Sequence, residues 1–255
     1  MIKRKTSREI ELMKQAGEIA AKARNLAREL VVVGATTKSI DKELHSFIIS
    51  EGASPTFLGY RDYPASICIS INEEVIHGMP SSRTLTHGDL VSIDIGATKS
   101  GYIGDCAATF IVAKGTDEAE KLVTVTRECF FEGLKYALPG NRVSHISRAI
   151  QIHAEANGFT LVREFTGHGV GSELHESPEI PNYVTKPRRA PDPRLMPGMT
   201  LAIEPMVNAG KAEINILDDG WTVVTADGKN SAHYENTILI TDNEPEILTM
   251  CEGML

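Results

Sequence analysis

A chain of 255 residues can bury a large core, as one domain or as two fused halves. With 42% hydrophobic and 24% charged residues it reads as globular, and a net charge of -8 argues against a general nucleic-acid or membrane-surface binder. Four scattered cysteines (Cys68, Cys106, Cys129, Cys251) contain no CxxC, so neither a disulfide framework nor a cysteine zinc site is expected. The basic start, MIKRKTSREIELMKQAG, has no continuous apolar run, and no segment approaches the ~18 apolar residues of a membrane span. The expectation is a cytoplasmic chain in a reducing compartment.

Ile10, Met13, Ala16, Ile19, Ala20 and Ala23 mark an amphipathic helix. Gly34-Ala-Thr-Thr-Lys-Ser-Ile40 opens a second helix that ends at Glu51-Gly52. His77 stands in Val-Ile-His-Gly-Met-Pro. From Val91 to Ile95, apolar residues alternate with Ser92 and Asp94 as in a strand, and Lys99-Ser100-Gly101 reads as a turn into a returning strand over Ala107 to Val112. A hairpin centred between Lys99 and Ser100 would set Asp94 directly opposite Asp105, although a one-residue slip would put them on opposite faces. From this stretch alone, one solvated Asp on each strand is an equally good reading.

The pattern then recurs. A helix with Leu122, Val125, Cys129 and Leu134 precedes Gly140-Asn-Arg-Val-Ser-His-Ile146, and the next helix ends at Asn157-Gly158, an offset of 106 at both landmarks. Gly88 to Asp94 recurs as Gly198 to Glu204 at an offset of 110, with an acid closing each strand. Three matches in one order predict a duplicated α+β fold. Its two pseudo-symmetric halves, about 1–115 and 116–255 of a single domain, would merge their strands into one antiparallel sheet covered by helices. Asn182 to Pro197 reads as a surface loop. Tyr234 to Ile240, with Glu235, reads as a buried strand, with Trp221 to Thr225 as its expected hairpin partner.

Of eight histidines, His45, His145 and His153 fall on predicted helices and His87 in a turn. His77, His168 in Thr-Gly-His-Gly-Val-Gly and His175 in Glu-Leu-His-Glu-Ser-Pro could project into a cleft, although any single loop histidine is more often structural. Gly167 to Gly171 lacks both the GKS/T ending and the GxGxxG spacing of a phosphate loop.

Asp94 with Asp105, GHGVG with His168, IEP with Glu204 and YENT with Glu235 together resemble the pita-bread metallohydrolases. GYRDYPASICISINEEVIHGMP and GDCAATF narrow the resemblance to the type I methionine aminopeptidases, over essentially the whole chain. It implies a creatinase/aminopeptidase (pita-bread) fold, which the repeat supports independently. It also implies two divalent cations per chain (Co, Mn, Fe, Zn or Ni) on Asp94, Asp105, His168, Glu204 and Glu235. Asp105 and Glu235 would bridge, His168 and Glu204 would complete one metal, and Asp94 the other. Charge balance fits: four clustered carboxylates repel, and two divalent cations neutralise them. Such a pair activates a water for hydrolysis.

By the same resemblance Glu204 would shuttle the proton, while His77 and His175 would bind the substrate and stabilise the tetrahedral intermediate. Tyr60, Tyr63, Cys68, Leu174 and Trp221 would form the methionine pocket, with Leu174 at a position often aromatic in the family. Asn72 and Ser231, with Glu74 held loosely, resemble a monovalent-cation site. The implied enzyme removes N-terminal methionine from peptides and nascent chains, favouring a small second residue. It would act as a cytoplasmic monomer, with ribosome proximity and no membrane. The chain shows no Cys/His-rich N-terminal module, and the span from Glu204 to Glu235 leaves no room for the helical insertion of type II enzymes, so it looks like the short bacterial form. The alternatives are a prolidase or proline aminopeptidase, which normally carries an extra N-terminal domain, and a non-catalytic partner-binding member, which would have lost ligands.

Overall fold

The computed structural model describes residues 2–184 and 191–251. Helices α1 (Ser7–Leu30), α2 (Thr37–Ser50), α3 (Asp117–Leu134) and α4 (Val143–Ala156) carry the duplicated pattern. α1 opens where Thr6 accepts the amide of Glu9 and the Glu9 carboxylate accepts that of Thr6, satisfying two orphan donors reciprocally. Thr37 and Val143, like Ser50 and Ala156, lie 106 apart, the offset seen in the sequence. The duplication reaches individual backbone bonds. Gly34 N donates to Leu85 O as Gly140 N does to Leu195 O, and Thr36 bridges Thr84 as Arg142 bridges Arg194.

Among the described residues, nine strands form one antiparallel sheet. Its path runs Ser54–Pro55, Leu90–Lys99, Tyr102–Ile111, Glu235–Leu239, Thr200–Ile203, Gly167–Gly169 and Glu176–Ile180, with Cys68–Ile71 also pairing Leu90–Lys99. The two halves meet where Glu235 pairs with Ala107 and Asn236 with Cys106. Helices cover one face of this sheet. α1 and α2 bury Ile19, Ala23, Ile40 and Leu44 with Ile93 and Ile95, while α3 and α4 bury Leu122, Val125, Ile146 and Ile150 with Leu201 and Ile203. Because side chains alternate along a strand, Asp94, between Ile93 and Ile95, points to the opposite face.

Three expectations are corrected. In the central hairpin Lys99 pairs with Tyr102, so Ser100 and Gly101 form a two-residue turn, at φ 51° and 81°. Two central residues with φ > 0 match the right-handed twist of the strands, and that moves the turn one residue onward. Asp94 therefore faces Ala107, and Asp105 faces Gly96. The shift in pairing is two residues, so both acids keep the same face as diagonal neighbours. Secondly, Val223–Thr225 pairs with Ile214–Ile216 and Glu74–Ile76, not with the Glu235 strand. Glu235–Leu239 is buried at all five positions, with Thr200–Ile203 along one edge and Tyr102–Ile111 followed by Glu246–Ile247 along the other, so both edges are taken. Thirdly, the stretch from Asn182 to Pro197 is not a surface loop throughout, because Asn182 and Leu195 are buried. Residues 185–190 of that stretch lie outside the described residues.

α1 lies directly on the hairpin. A Cβ at Gly104 would strike the backbone N and Cα of Gly17, so helix and strand touch main chain to main chain. Gly104→Ala should therefore destabilise by about 1–3 kcal/mol through overpacking. That corresponds to a Tm drop of roughly 2–4 °C per kcal/mol in a chain of this size. An unchanged Tm in thermal unfolding would show that α1 can lift from the sheet freely.

Candidate metal centre and pocket

Register partners across the sheet place Cys68, Asp94, Ala107 and Glu235 in one row. Ala107, with only a methyl group, leaves space between the two acids. Asp105 lies two residues along the same strand and Glu204 just beyond Ile203, which pairs with Asn236. His168 joins from the next strand, opposite Ala202. Its flanking glycines are a packing requirement. A Cβ at Gly167 would strike the Ala202 carbonyl, and one at Gly169 the Ser177 carbonyl.

The His168 tautomer follows from one contact. Nδ1 is 2.9 Å from the Gly169 carbonyl, which can only accept, so Nδ1 carries the proton. The Nε2 lone pair then faces two further acceptors, Glu204 Oε1 at 3.4 Å and Asp105 Oδ2 at 3.8 Å. Ligand atoms of Asp105, His168 and Glu235 all lie within 4.8 Å of one another. Asp94 Oδ1, Asp105 Oδ1 and Glu235 Oε1 are buried without a hydrogen-bond partner. An imidazole lone pair converging with orphaned carboxylate oxygens is a donor set that a divalent metal fits.

The electrostatics agree. Burial pushes Asp94 up to about 7. Burial, and then the neighbouring carboxylates, push Asp105, Glu204 and Glu235 well above the usual range. Burial lowers His168 to about 3, with His175 adding to the effect. Each shift is the cost of removing charge from water.

These acids line a cavity of about 280 Å³ together with Tyr60, Tyr63, Cys68, His77, Leu174, His175 and Trp221, so the expected ligand, catalytic and methionine-pocket residues meet there, while Asn72, Glu74 and Ser231 do not line it. Cys68 is held well above its normal pKa by burial and then by Asp94, so it presents a neutral thiol. Tyr63 packs edge-on to Trp221 at 5.0 Å and donates to the carbonyls of Gly78 and Ile67. That bond pins the chain beside His77, whose φ of 60° is in the left-handed region unusual for a bulky residue. The His77 ring packs edge-on to Phe165 and Trp221, and burial lowers its pKa to about 4. His175 sits at the rim with Nδ1 2.8 Å from the Tyr60 hydroxyl, and burial followed by Arg61 lowers its pKa. Glu74 is turned elsewhere, accepting from Ile71 N and from Arg83.

His233 was missed by the sequence reading. It is buried, with Nε2 3.8 Å from Glu204 Oε2 and no hydrogen-bond partner, and burial lowers its pKa to about 3. Thr109 holds its backbone by accepting from its N–H and donating to its carbonyl. The signal was period-2 alternation, since a residue two before Glu235 in extended chain shares its face. Phe165, Arg61 and Glu164 also line the cavity, without a sequence cue of their own.

Residues 11–242 match metallopeptidase family M24. The chain is 52% identical to a methionine aminopeptidase of Clostridium perfringens, over 98% of this chain and 99% of that one. It is 44% identical to that of Escherichia coli, over 96% and 93%. The crystal structure of a methionine aminopeptidase from Thermotoga maritima superposes with a TM-score of 0.95 at 44% identity, covering 98% of this chain and 100% of that one. A prolidase from Pyrococcus furiosus gives 0.80 at 26% identity, covering 98% of this chain but 66% of the prolidase. A donor set that suits a divalent cation, an apolar pocket beside it and near-complete coverage by such relatives agree: the chain belongs to metallopeptidase family M24, among the short bacterial type I methionine aminopeptidases with their pita-bread fold.

Proposed function

We propose that Asp94, Asp105, His168, Glu204 and Glu235 would together hold two divalent cations, and that residues 1–255 work as one catalytic unit of two halves. The carrying observation is the His168 lone pair turned onto buried carboxylate oxygens that have no partner. The enzyme is a metal-dependent hydrolase that removes N-terminal methionine. When bound, two such cations supply Lewis acidity and a water made nucleophilic near neutral pH.

The protein's own groups do the rest. Asp94 pairs across strands with Cys68, so the end of the cluster that takes the substrate's free α-amine adjoins the apolar pocket. Tyr60, Tyr63, Cys68, Leu174 and Trp221 receive the methionine side chain, and none of them offers a charge to a Lys or Glu side chain. Glu204, its carboxyl pKa raised, takes the water's proton and passes it to the leaving amine. His77 and His175 are neutral at pH 7 and donate N–H bonds to the substrate carbonyl as it gains charge. Phe165, which lines the cavity and packs edge-on to His77, favours a small second residue.

A monovalent cation near Asn72 and Ser231 would rely on backbone carbonyls, because the Asn72 side chain is spent on Asp89 and Leu90 and Glu74 on Arg83. No described helix is long and apolar enough to cross a membrane. The same reading takes nascent chains near the ribosome as substrates, in the cytoplasm, for a monomeric enzyme.

Mass spectrometry of Met-Ala-Ser, Met-Leu-Ser and Ala-Pro-Ser digests tests the assignment. The first should be cleaved far faster than the second after chelation and return of Mn, Co or Fe. Preferred cleavage of Ala-Pro-Ser would favour the proline-specific relatives, and full activity in metal-free protein would remove the metal altogether. His77→Ala should keep its metals while kcat falls by about 10²-fold or more, with a much smaller change in KM. A variant that loses a metal, or keeps wild-type kcat, assigns the ring another job.

Metal-free protein should also show the cost of the cluster. The acids titrate higher folded than unfolded, so their contribution is present below the unfolded pKa of about 4 and lost as pH rises through the folded values. The buried histidines act oppositely, but only below about pH 6.5, where the unfolded chain takes up protons that they refuse. Above about pH 6.5 the carboxyl effect stands alone. Metal-free Tm should fall there, and the Tm gain on adding Mn should grow across the same range. A flat metal-free profile would contradict it.

A further inference from the structure

Glu176 follows His175 directly, and its carboxylate is nearly sealed from solvent against Lys5. Lys5 Nζ lies 2.7 Å from Glu176 Oε2, and the two side chains are only 4% and 5% exposed. A lysine so buried is rare unless paired. Lys3 Nζ stands 3.8 Å from the other oxygen, but its side chain is 61% exposed and the contact is weak. That same oxygen accepts from Glu173 N at 3.5 Å, so one carboxylate ties both ends of a short turn.

The turn is shaped around the ion pair. A Cβ at Gly171 would strike Lys5 Cε and Nζ and Glu176 Oε1, so the main chain lies against the paired charges. Gly171 O accepts from Ile103 N, and on the other side Lys5 N donates to Gly198 O while Arg4 Nε donates to Pro197 O. Both the N-terminal segment and residues 171–176 are thus fixed to the sheet and to each other. Between those anchors stand Leu174, buried in the pocket, and His175, at its rim.

We propose that the buried Lys5–Glu176 pair is a positioning device, through which the N-terminal segment sets His175 and Leu174 against the cavity. A buried ion pair is a poor stabiliser compared with an apolar pair of the same size, because desolvation offsets the attraction. What it supplies is direction: two charged atoms that accept one arrangement and penalise others. Among the described residues His175 has one side-chain hydrogen-bond partner, Tyr60 at Nδ1, and its ring stands against that of His168 with centroids 4.3 Å apart. The placement of its backbone therefore decides where its ring meets the substrate. The inference rests on the catalytic reading of His175 given above.

Glu176→Gln keeps the shape and removes the charge, and Lys5→Met/Glu176→Met removes both charges so that neither is left buried alone. Each is compared with wild type, and each is also made in a His175→Ala background, with kcat, KM, metal content and Tm measured on Met-Ala-Ser. Glu176→Gln should lower kcat roughly 10- to 100-fold, the scale of an ångström's misplacement, with KM and metal content little changed. In the His175→Ala background the same change should cost less than about 2-fold, since a group acting through His175 has nothing left to position. If Glu176→Gln does not fold, the double methionine variant carries the test with the same expected losses. Equal losses in both backgrounds, or a lowered Tm with wild-type kcat, would make the pair a structural strut and overturn the inference alone. Wild-type kcat in His175→Ala, or no wild-type cleavage of Met-Ala-Ser, would overturn the functional reading and this inference with it.

Discussion

Four carboxyls facing one cavity in a dry sheet repel by about 4 kcal/mol for each pair 4 Å apart at an effective dielectric near 20. No local run of sequence could hold them, because each stands among apolar residues that favour burial while the acid does not. The fold resolves this by making each acid the outward member of a strand whose inward neighbours are fixed by helices. Ile93 and Ile95 lock Asp94, and Ile203 precedes Glu204, each isoleucine wholly buried. The helical cover thus supplies the force that keeps charge where charge would not go. A cation then turns a destabilising cluster into a bound one.

Duplication makes the cluster possible with short loops. Each half contributes a pair of antiparallel strands bearing two acids on the cavity side, and the seam between Ala107 and Glu235 lays the two sets side by side. Arg24, fully buried in α1, donates to the Glu235 carbonyl and to that of Thr249, and contacts the Ala107 carbonyl from the helical side. It therefore fastens that seam from behind the acids.

The sequence made the acids and the repeat legible because both are periodic: strands show period 2, and the halves recur at fixed offsets. Register was harder. The hairpin centre depends on which residue of Lys99-Ser100-Gly101 tolerates positive φ, and Ser100 there gives no sequence warning. The partner of the Glu235 strand was misjudged because neighbours in sequence compete with neighbours in space, and in a duplicated fold the central strands pair across the halves. His233 went unread for a different reason. Its ring is functional in appearance only once Glu204, from another strand, is known to stand 3.8 Å away. Lys5 is more hidden still, since a lysine in a basic N-terminus reads as a solvated charge.

The site divides its work by protonation state. The histidines at the cavity are held neutral by burial, so they can offer N–H donors at pH 7 without adding positive charge that would compete with a metal. The acids are held above their normal range by burial and by one another, so on their own they favour the neutral form. Cys68 stays a thiol beside Asp94, which keeps the pocket wall apolar up to the edge of the cluster. Desolvation by the same sheet and helices thus sets all three behaviours. The boundary between the acid cluster and the apolar wall thus runs between two paired residues, Asp94 and Cys68.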